Sequence, residues 1–239
     1  MLISFSGPDG AGKTTQIKKL MSYFEKHGFK VGAVQDINPD VRYHIGDDLT
    51  SYYEYLKQFD VIHTRFRLHS MENVEIMDIV QFISIGNKWM TTYSAYTSHY
   101  DSEQWYKYVT LPLLKEGKIL ISDKYAFDDI AFKSVYGCEY SWLNALHHDM
   151  HIPDISIYLK VNRETILQHN ESRKDLKNIL YRKPKNTIKL LNAFDRLTKD
   201  YPLTAIDATG SPETVYSNIM NYLLSLPKFQ KLFENSAEH

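Results

Sequence analysis

Gly7-Pro8-Asp9-Gly10-Ala11-Gly12-Lys13-Thr14 fits G-x-x-x-x-G-K-[ST] at every fixed position. Each residue type has a chemical reason. Glycines let the backbone curl so that its N–H groups converge on phosphate oxygens. The Lys13 ammonium is a point charge for the β and γ phosphates, and the Thr14 hydroxyl is a ligand for Mg²⁺. A helix starting here adds the positive end of its dipole. The motif therefore predicts a nucleoside triphosphate site.

Two other stretches carry chemistry that fits such a site. Lys118-Ile119-Leu120-Ile121-Ser122-Asp123 is an apolar run that ends in a carboxylate. In open α/β sheets, ligands bind at the carboxyl ends of the strands. Asp123 can hold Mg²⁺ through water or accept a proton from the attacking group, and Lys124 can neutralise an acceptor phosphate. The second stretch is basic: Arg173, Lys174, Lys177, Arg182, Lys183 and Lys185 lie between Asn170 and Lys185. Beside a phosphate loop it reads as a mobile lid over about 170–185. Arg173 and Arg182 are its best transition-state partners, because a guanidinium fork matches phosphate oxygens.

These groups need elements to position them. Leu2 to Ser6 reads as a strand, and Thr14 to Lys26 as a helix with Ile17, Leu20, Met21 and Phe24 at helical spacing. Gly28 stands where a C-cap belongs, and Phe29 to Val34 reads as a second strand. Strands are also expected at 118–123, 154–160 and 203–206. Helices are expected at 48–59, 72–90, 102–114, 163–169, 187–197 and 212–224, with a short one after 229. Five strands interleaved with helices predict an α/β fold: a parallel sheet doubly wound by helices on both faces, in a single domain over 1–239.

Composition narrows the function. The 239 residues carry 28 Lys+Arg against 29 Asp+Glu, a net charge of −1, so no basic surface points to nucleic acid. One cysteine, Cys138, excludes an internal disulfide framework and suits a reducing compartment. No run approaches the roughly 20 apolar residues of a membrane span. A cytoplasmic protein without membrane partners is expected. His147, His148 and His151 precede Pro153 in a loop and lack the acidic partner of a zinc-binding helix. Tyr93, Tyr96, Tyr100, Trp105, Tyr106 and Tyr108 cluster where they can pack a core or interface, or stack on a base.

Together the motifs resemble the thymidylate kinase family of P-loop nucleoside monophosphate kinases. The resemblance rests on four segments in order: 7–16 with its internal Asp9, Asp123-Lys124-Tyr125 through Phe132, Pro153-Asp154 opening a strand, and Ile206-Asp207-Ala208-Thr209-Gly210-Ser211. It implies ATP as phosphoryl donor, Mg²⁺ as cofactor, a nucleoside monophosphate acceptor with dTMP first, a role in nucleotide biosynthesis, and a homodimer. ATP would be held by Gly7, Asp9, Gly10, Ala11, Gly12, Lys13, Thr14 and Thr15, with Thr209 near the adenine. The acceptor would meet Asp9, Arg42, Arg67, Lys124, Tyr125 and Phe132. Lys13, Asp123, Arg173 and Arg182 would be catalytic, and Thr14 and Asp123 would hold the metal, the latter through water.

This chain departs from the family pattern at defined places. Lys124 stands where an arginine grips the acceptor phosphate, and a point charge is not equivalent to a fork. Asp128 and Asp129 replace small residues and would repel a phosphate unless paired or turned outward. Counting back from Gly117 puts Ser102 or Glu103 at the base-reading arginine. The alternative alignment uses Arg67 and requires a helical insertion over about 68–100. Two rival functions follow. One is the same fold acting on another nucleotide, a nucleoside or a non-nucleotide metabolite; the other is a non-catalytic nucleotide-binding module.

Overall fold

The computed structural model describes residues 1–35, 88–171 and 184–236. The helix expected at 48–59, most of that at 72–90, Arg42, Arg67, Arg173 and Arg182 lie outside the described residues. So do 172–183 of the expected lid and 68–87 of the expected insertion.

Five parallel strands form one sheet in the order β2-β3-β1-β4-β5. They are β1 (Leu2–Ser6), β2 (Val31–Gln35), β3 (Ile119–Asp123), β4 (Ile155–Lys160) and β5 (Thr204–Asp207). β1 and β3 are buried along their whole length, as strands covered on both faces must be. Alternation sends their side chains to opposite faces. Ile3, Phe5, Ile119 and Ile121 join the main core, which includes Ile17, Leu20 and Phe24 of helix α1 (Lys13–Lys26). Leu2 and Leu120 form a smaller cluster on the other face, with Tyr106, Leu113, Leu114 and Tyr125 packed against it.

The chain before β3 differs from its expected form. Helix α2 runs from Lys88 to Trp105, so residue 100 falls inside it. A π turn over Tyr106–Thr110 and a short helix α3 (Leu111–Lys115) follow, in place of one helix over 102–114. Pro112 is the physical reason: it stands in the first turn of α3, where the missing N–H costs least.

Two helices occupy 124–153, where the sequence pattern suggests none. They are α4 (Ala126–Val135) and α5 (Tyr140–Leu146). The acids Asp128 and Asp129 interrupt an otherwise apolar row and hide the α4 period. His147 is not a free loop residue: it caps α5, is buried, and its Nδ1 contacts the Leu143 carbonyl. Helices α6 (Arg163–Glu171) and α7 (Pro184–Asp200) lie between β4 and β5 in sequence, and α7 packs on α4 and β4. Helix α8 (Pro212–Ser225) packs on α1 and β5.

The last helix, α9 (Pro227–Ser236), is fastened by aromatic rings. Phe229 and Phe233 contact Phe24, Tyr23, His27 and Phe29, with centroids 5.1–5.9 Å apart. Phe229 is fully buried. Phe229→Ala is therefore expected to cost about 3–5 kcal/mol in urea unfolding. A loss below about 1 kcal/mol would show that α9 is not part of the cooperative fold.

His99 of α2 lies 4.8 Å from His147, ring to ring, and its Nδ1 is buried without a hydrogen-bond partner. Burial lowers its pKa from 6.5; His147 adds to that, while Asp129 and Asp149 oppose it. The unfolded chain then binds more protons than the folded one just below pH 6.5. His99 thus subtracts no stability above that value and subtracts progressively more as pH falls below it. The thermal midpoint of His99→Gln is expected to fall less steeply than wild type between pH 7 and 5.5. Identical slopes would contradict this.

Candidate active site

The β1–β3 register places Phe5 beside Asp123, so the ends of the two strands stand level. Residues 7–12 leave β1 as a tight loop, closed by the Ala11 N–H donating to the Pro8 carbonyl at 3.1 Å. Gly12 caps α1 in a left-handed conformation and offers no side-chain partner to the helix's first N–H groups. Gly7 has φ 141°, and a Cβ there would stand 3.0 Å from the Leu159 carbonyl oxygen. Only glycine lets the loop pass this close to β4.

The Lys13 side chain is buried and folds back into the loop. Its ammonium donates to the Gly7 carbonyl at 2.7 Å and the Pro8 carbonyl at 3.1 Å. Beside it, the Thr14 hydroxyl donates to Asp123 Oδ2 at 2.9 Å. These residues are 109 apart in sequence, and this bond ties the loop to the end of β3. A hydroxyl and a carboxylate so placed are hard oxygen donors suited to Mg²⁺, which binds few protein ligands and keeps several waters.

Past Asp123 the chain turns sharply. Among the described residues Lys124 is the one non-glycine with positive φ, at 76°. Its N–H donates to the Phe5 carbonyl at 2.8 Å, and its carbonyl accepts the Ser122 hydroxyl at 2.5 Å. Its ammonium lies 3.1 Å from Asp9 Oδ1, each side chain being about one-third exposed, and 5.5 Å from the Phe132 ring centroid. The Asp9 charge holds the Lys124 pKa above its usual range; burial opposes this, and Asp128 and Asp123 add to it. Thus Asp9, Lys124 and Phe132, which the sequence reading assigns to one site, are brought together. The Tyr125 hydroxyl turns elsewhere and donates to the His151 carbonyl at 2.5 Å.

Two contributors were not anticipated. Tyr136, the C-cap of α4, has its hydroxyl pKa raised to about 12 by burial, with Asp9 adding and Lys124 opposing. Asp128 is turned into the protein instead of toward a phosphate. It accepts the Gly7 N–H and the Tyr125 N–H, each at 3.0 Å. Burial raises its pKa, and the Lys13 charge and the Gly7 N–H pull it back. Its neighbour Asp129 faces His147, with Oδ2 3.7 Å from Nε2. An acid in the first turn of a helix was the available signal for Asp128, but α4 itself had to be recognised first.

Other expected residues fall at separate places. Thr209 lies in the loop after β5, where its N–H and hydroxyl both reach Asp207 Oδ1. That loop is tied to α1 by Gln16, whose amide donates to the Pro212 carbonyl at 3.0 Å. Ser102 and Glu103 line a cavity with His99, Tyr106 and Tyr125. Burial raises the Glu103 pKa there, and Asp149 adds to it. Of the tyrosine cluster, Tyr106 stacks on His151 at 4.2 Å and Tyr96 is exposed.

A parallel sheet with a phosphate loop after its central strand, and a carboxylate and a lysine after the next, defines a nucleotide-binding kinase of the P-loop class. The thymidylate kinase family profile matches residues 91–219, and the chain belongs to that family. It is 29% identical over 234 residues to the thymidylate kinase of Schizosaccharomyces pombe, covering 92% of this chain and 90% of that one. It is 25% identical over 231 residues to that of Acinetobacter baylyi, covering 95% of this chain and all of the relative. A probable thymidylate kinase of Pyrococcus abyssi is 24% identical over 226 residues, covering 91% and 93%.

Gly7→Ala combines positive φ with a close backbone contact, so a loss of about 1–3 kcal/mol is expected, together with much weaker ATP binding. Gly28, φ 79° at the end of α1, has open space around its Cβ position. Gly28→Ala should lower stability by about 1 kcal/mol and leave ATP binding unchanged. Calorimetric titration with ATP on both variants separates the two effects; equal ATP affinities would contradict the role of Gly7.

Proposed function

We propose that this protein transfers the γ-phosphoryl group of ATP to the 5′-phosphate of a nucleoside monophosphate, with dTMP as the acceptor. The observation that carries the reading is the meeting of the Lys13–Thr14 loop with the Asp123–Lys124 turn through the 2.9 Å Thr14–Asp123 bond. It sets a donor-side lysine and an acceptor-side lysine on adjacent strand ends. Family membership supports the reaction class and the nucleotide substrates.

On this reading Lys13 leaves the Gly7 and Pro8 carbonyls for the β and γ phosphates of ATP. The N–H groups of Asp9 to Thr15 surround those oxygens, and Thr209 lies along the adenine. Lys124 holds the acceptor phosphate, Asp9 bonds the sugar hydroxyl and orients Lys124, and Phe132 with Tyr125 walls the sugar. Thr14 and Asp123 are the residues that hold Mg²⁺, which supplies charge neutralisation to the phosphates when bound. The acceptor phosphate is already an anion, so no strong general base is needed and catalysis is positioning plus charge. Arg42 and Arg67 are assigned to the acceptor by resemblance, and Arg173 and Arg182 to the lid by the basic run that carries them and the fit of a guanidinium fork to phosphate oxygens. The single domain, the lid, a homodimer and a cytoplasmic location belong to the same proposal. Among the described residues, no helix is long and apolar enough to cross a membrane.

A different acceptor is the second reading, and one observation favours it. Helix α2 carries no arginine, and its inner positions Ser102 and Glu103 line the cavity beside Tyr125. The acidic pair no longer supports that reading, because Asp128 accepts two backbone N–H groups and Asp129 Oδ2 is buried on the side of His147, 3.7 Å from its Nε2.

The deciding assay is ADP release from Mg-ATP across the ribo- and deoxynucleoside monophosphates, with Lys13→Ala as the blank. Turnover with dTMP well above all others, reduced at least about 100-fold in Lys13→Ala, is the expected result. Turnover with another monophosphate would establish the second reading. ATP binding without any acceptor would remove the kinase reading.

A further inference from the structure

The contacts joining the phosphate loop to the Lys124 turn close through one side chain. Asp128 is 3% exposed and lies in the first turn of α4. Its Oδ2 accepts the Tyr125 N–H, which is ordinary helix capping. Its Oδ1 does something capping does not require. It accepts the N–H of Gly7, 121 residues away and at the first position of the loop.

Both partners lead to a site lysine. The Gly7 carbonyl holds the Lys13 ammonium at 2.7 Å. Tyr125 follows Lys124, whose backbone sits at φ 76° and whose ammonium pairs with Asp9 of the same loop. The circuit runs from Asp128 to Gly7, along the loop to Asp9, across to Lys124, and through Tyr125 back to Asp128. Burying a carboxylate is costly unless its oxygens are bonded. Here both are, and by donors from two different chain reversals.

We propose that Asp128 is a positioning residue: one buried carboxylate, shared between Gly7 N–H and Tyr125 N–H, fixes the spacing between the phosphate loop and the Lys124 turn. The proposal deepens the reading of the site as a phosphotransferase and rests on it. Phosphoryl transfer needs donor and acceptor in line, and a misplacement of about 1 Å can cost on the order of 100-fold in rate. Asp128 touches neither substrate. It acts by holding the two backbone segments that do.

Asp128→Asn tests this with little change in size. The amide keeps one acceptor oxygen and turns an NH₂ group toward the second N–H donor. At saturating ATP and acceptor, kcat is expected to fall about tenfold or more, with KM for ATP changed less than about threefold. Amide hydrogen exchange supplies the readout that a general loss of stability would not mimic. Segments 7–12 and 124–127 should both exchange faster, while α8 is unchanged. Wild-type kcat, or exchange that rises equally in α8, overturns the proposal.

If Asp128→Asn does not fold, Asp128→Glu takes its place. It keeps the charge and the capping bond but displaces the oxygen that meets Gly7, so the same loss of kcat and the same two fast segments are expected. Wild-type values in that variant overturn the proposal. Should wild type phosphorylate no monophosphate, the functional reading fails by itself. The exchange data with Mg-ATP present still decide the link: faster exchange confined to both segments supports it, and no change in either overturns it.

Discussion

Parallel pairing of β1 with β3 places two chain reversals side by side at one end of the sheet. The remainder of the site depends on this register. Phe5 stands opposite Asp123, and the Lys124 N–H donates back to the Phe5 carbonyl. A one-residue slip would send Asp123 to the opposite face and Ser122 toward Thr14. The register is held by burial: Ile3, Phe5, Ile119 and Ile121 face α1, and Leu2 and Leu120 face the α3 side. The Thr14–Asp123 bond then needs no adjustment of either backbone.

Charge is arranged in layers around that pairing. Lys13 is satisfied by two carbonyls of its own loop, an arrangement that phosphate oxygens can replace. Lys124 is satisfied by Asp9. Asp128 is committed to backbone N–H groups, and the charges of both lysines act on it. Two acids that look hostile to a phosphate thus serve different purposes once folded. Asp128 braces the loop, and Asp129 faces His147 on the next helix. Positive φ at Lys124 is the strained element, and it is surrounded by bonds at Phe5, Ser122 and Tyr125 that hold it there.

Much of this architecture was legible in the residues themselves. Gly7 to Thr14 announces its chemistry because the loop's function is local: glycines, a lysine and a hydroxyl within eight residues of one turn. The run Ile119–Asp123 reads as a central strand because parallel strands are apolar throughout. Helix α1 reads correctly because Ile17, Leu20 and Phe24 lie on one face. Helix α4 does not, because its buried face includes Asp128, and a polarity scale counts that residue as solvent-facing. The π turn at Tyr106–Thr110 is harder to read, since Pro112 marks where a new helix can start and not where the preceding one widens.

The sequence by itself determined the phosphate loop, the parallel sheet and the identity of the charged groups, since each is set by residues adjacent in the chain. Tertiary structure alone decided which of those groups meet. Thr14 finds Asp123 across 109 residues, Lys124 finds Asp9, and Asp128 turns inward to Gly7. The physical reason is that an acid's role depends on the donors around it, and those donors come from strands and turns that only the packed sheet brings within 3 Å of one another.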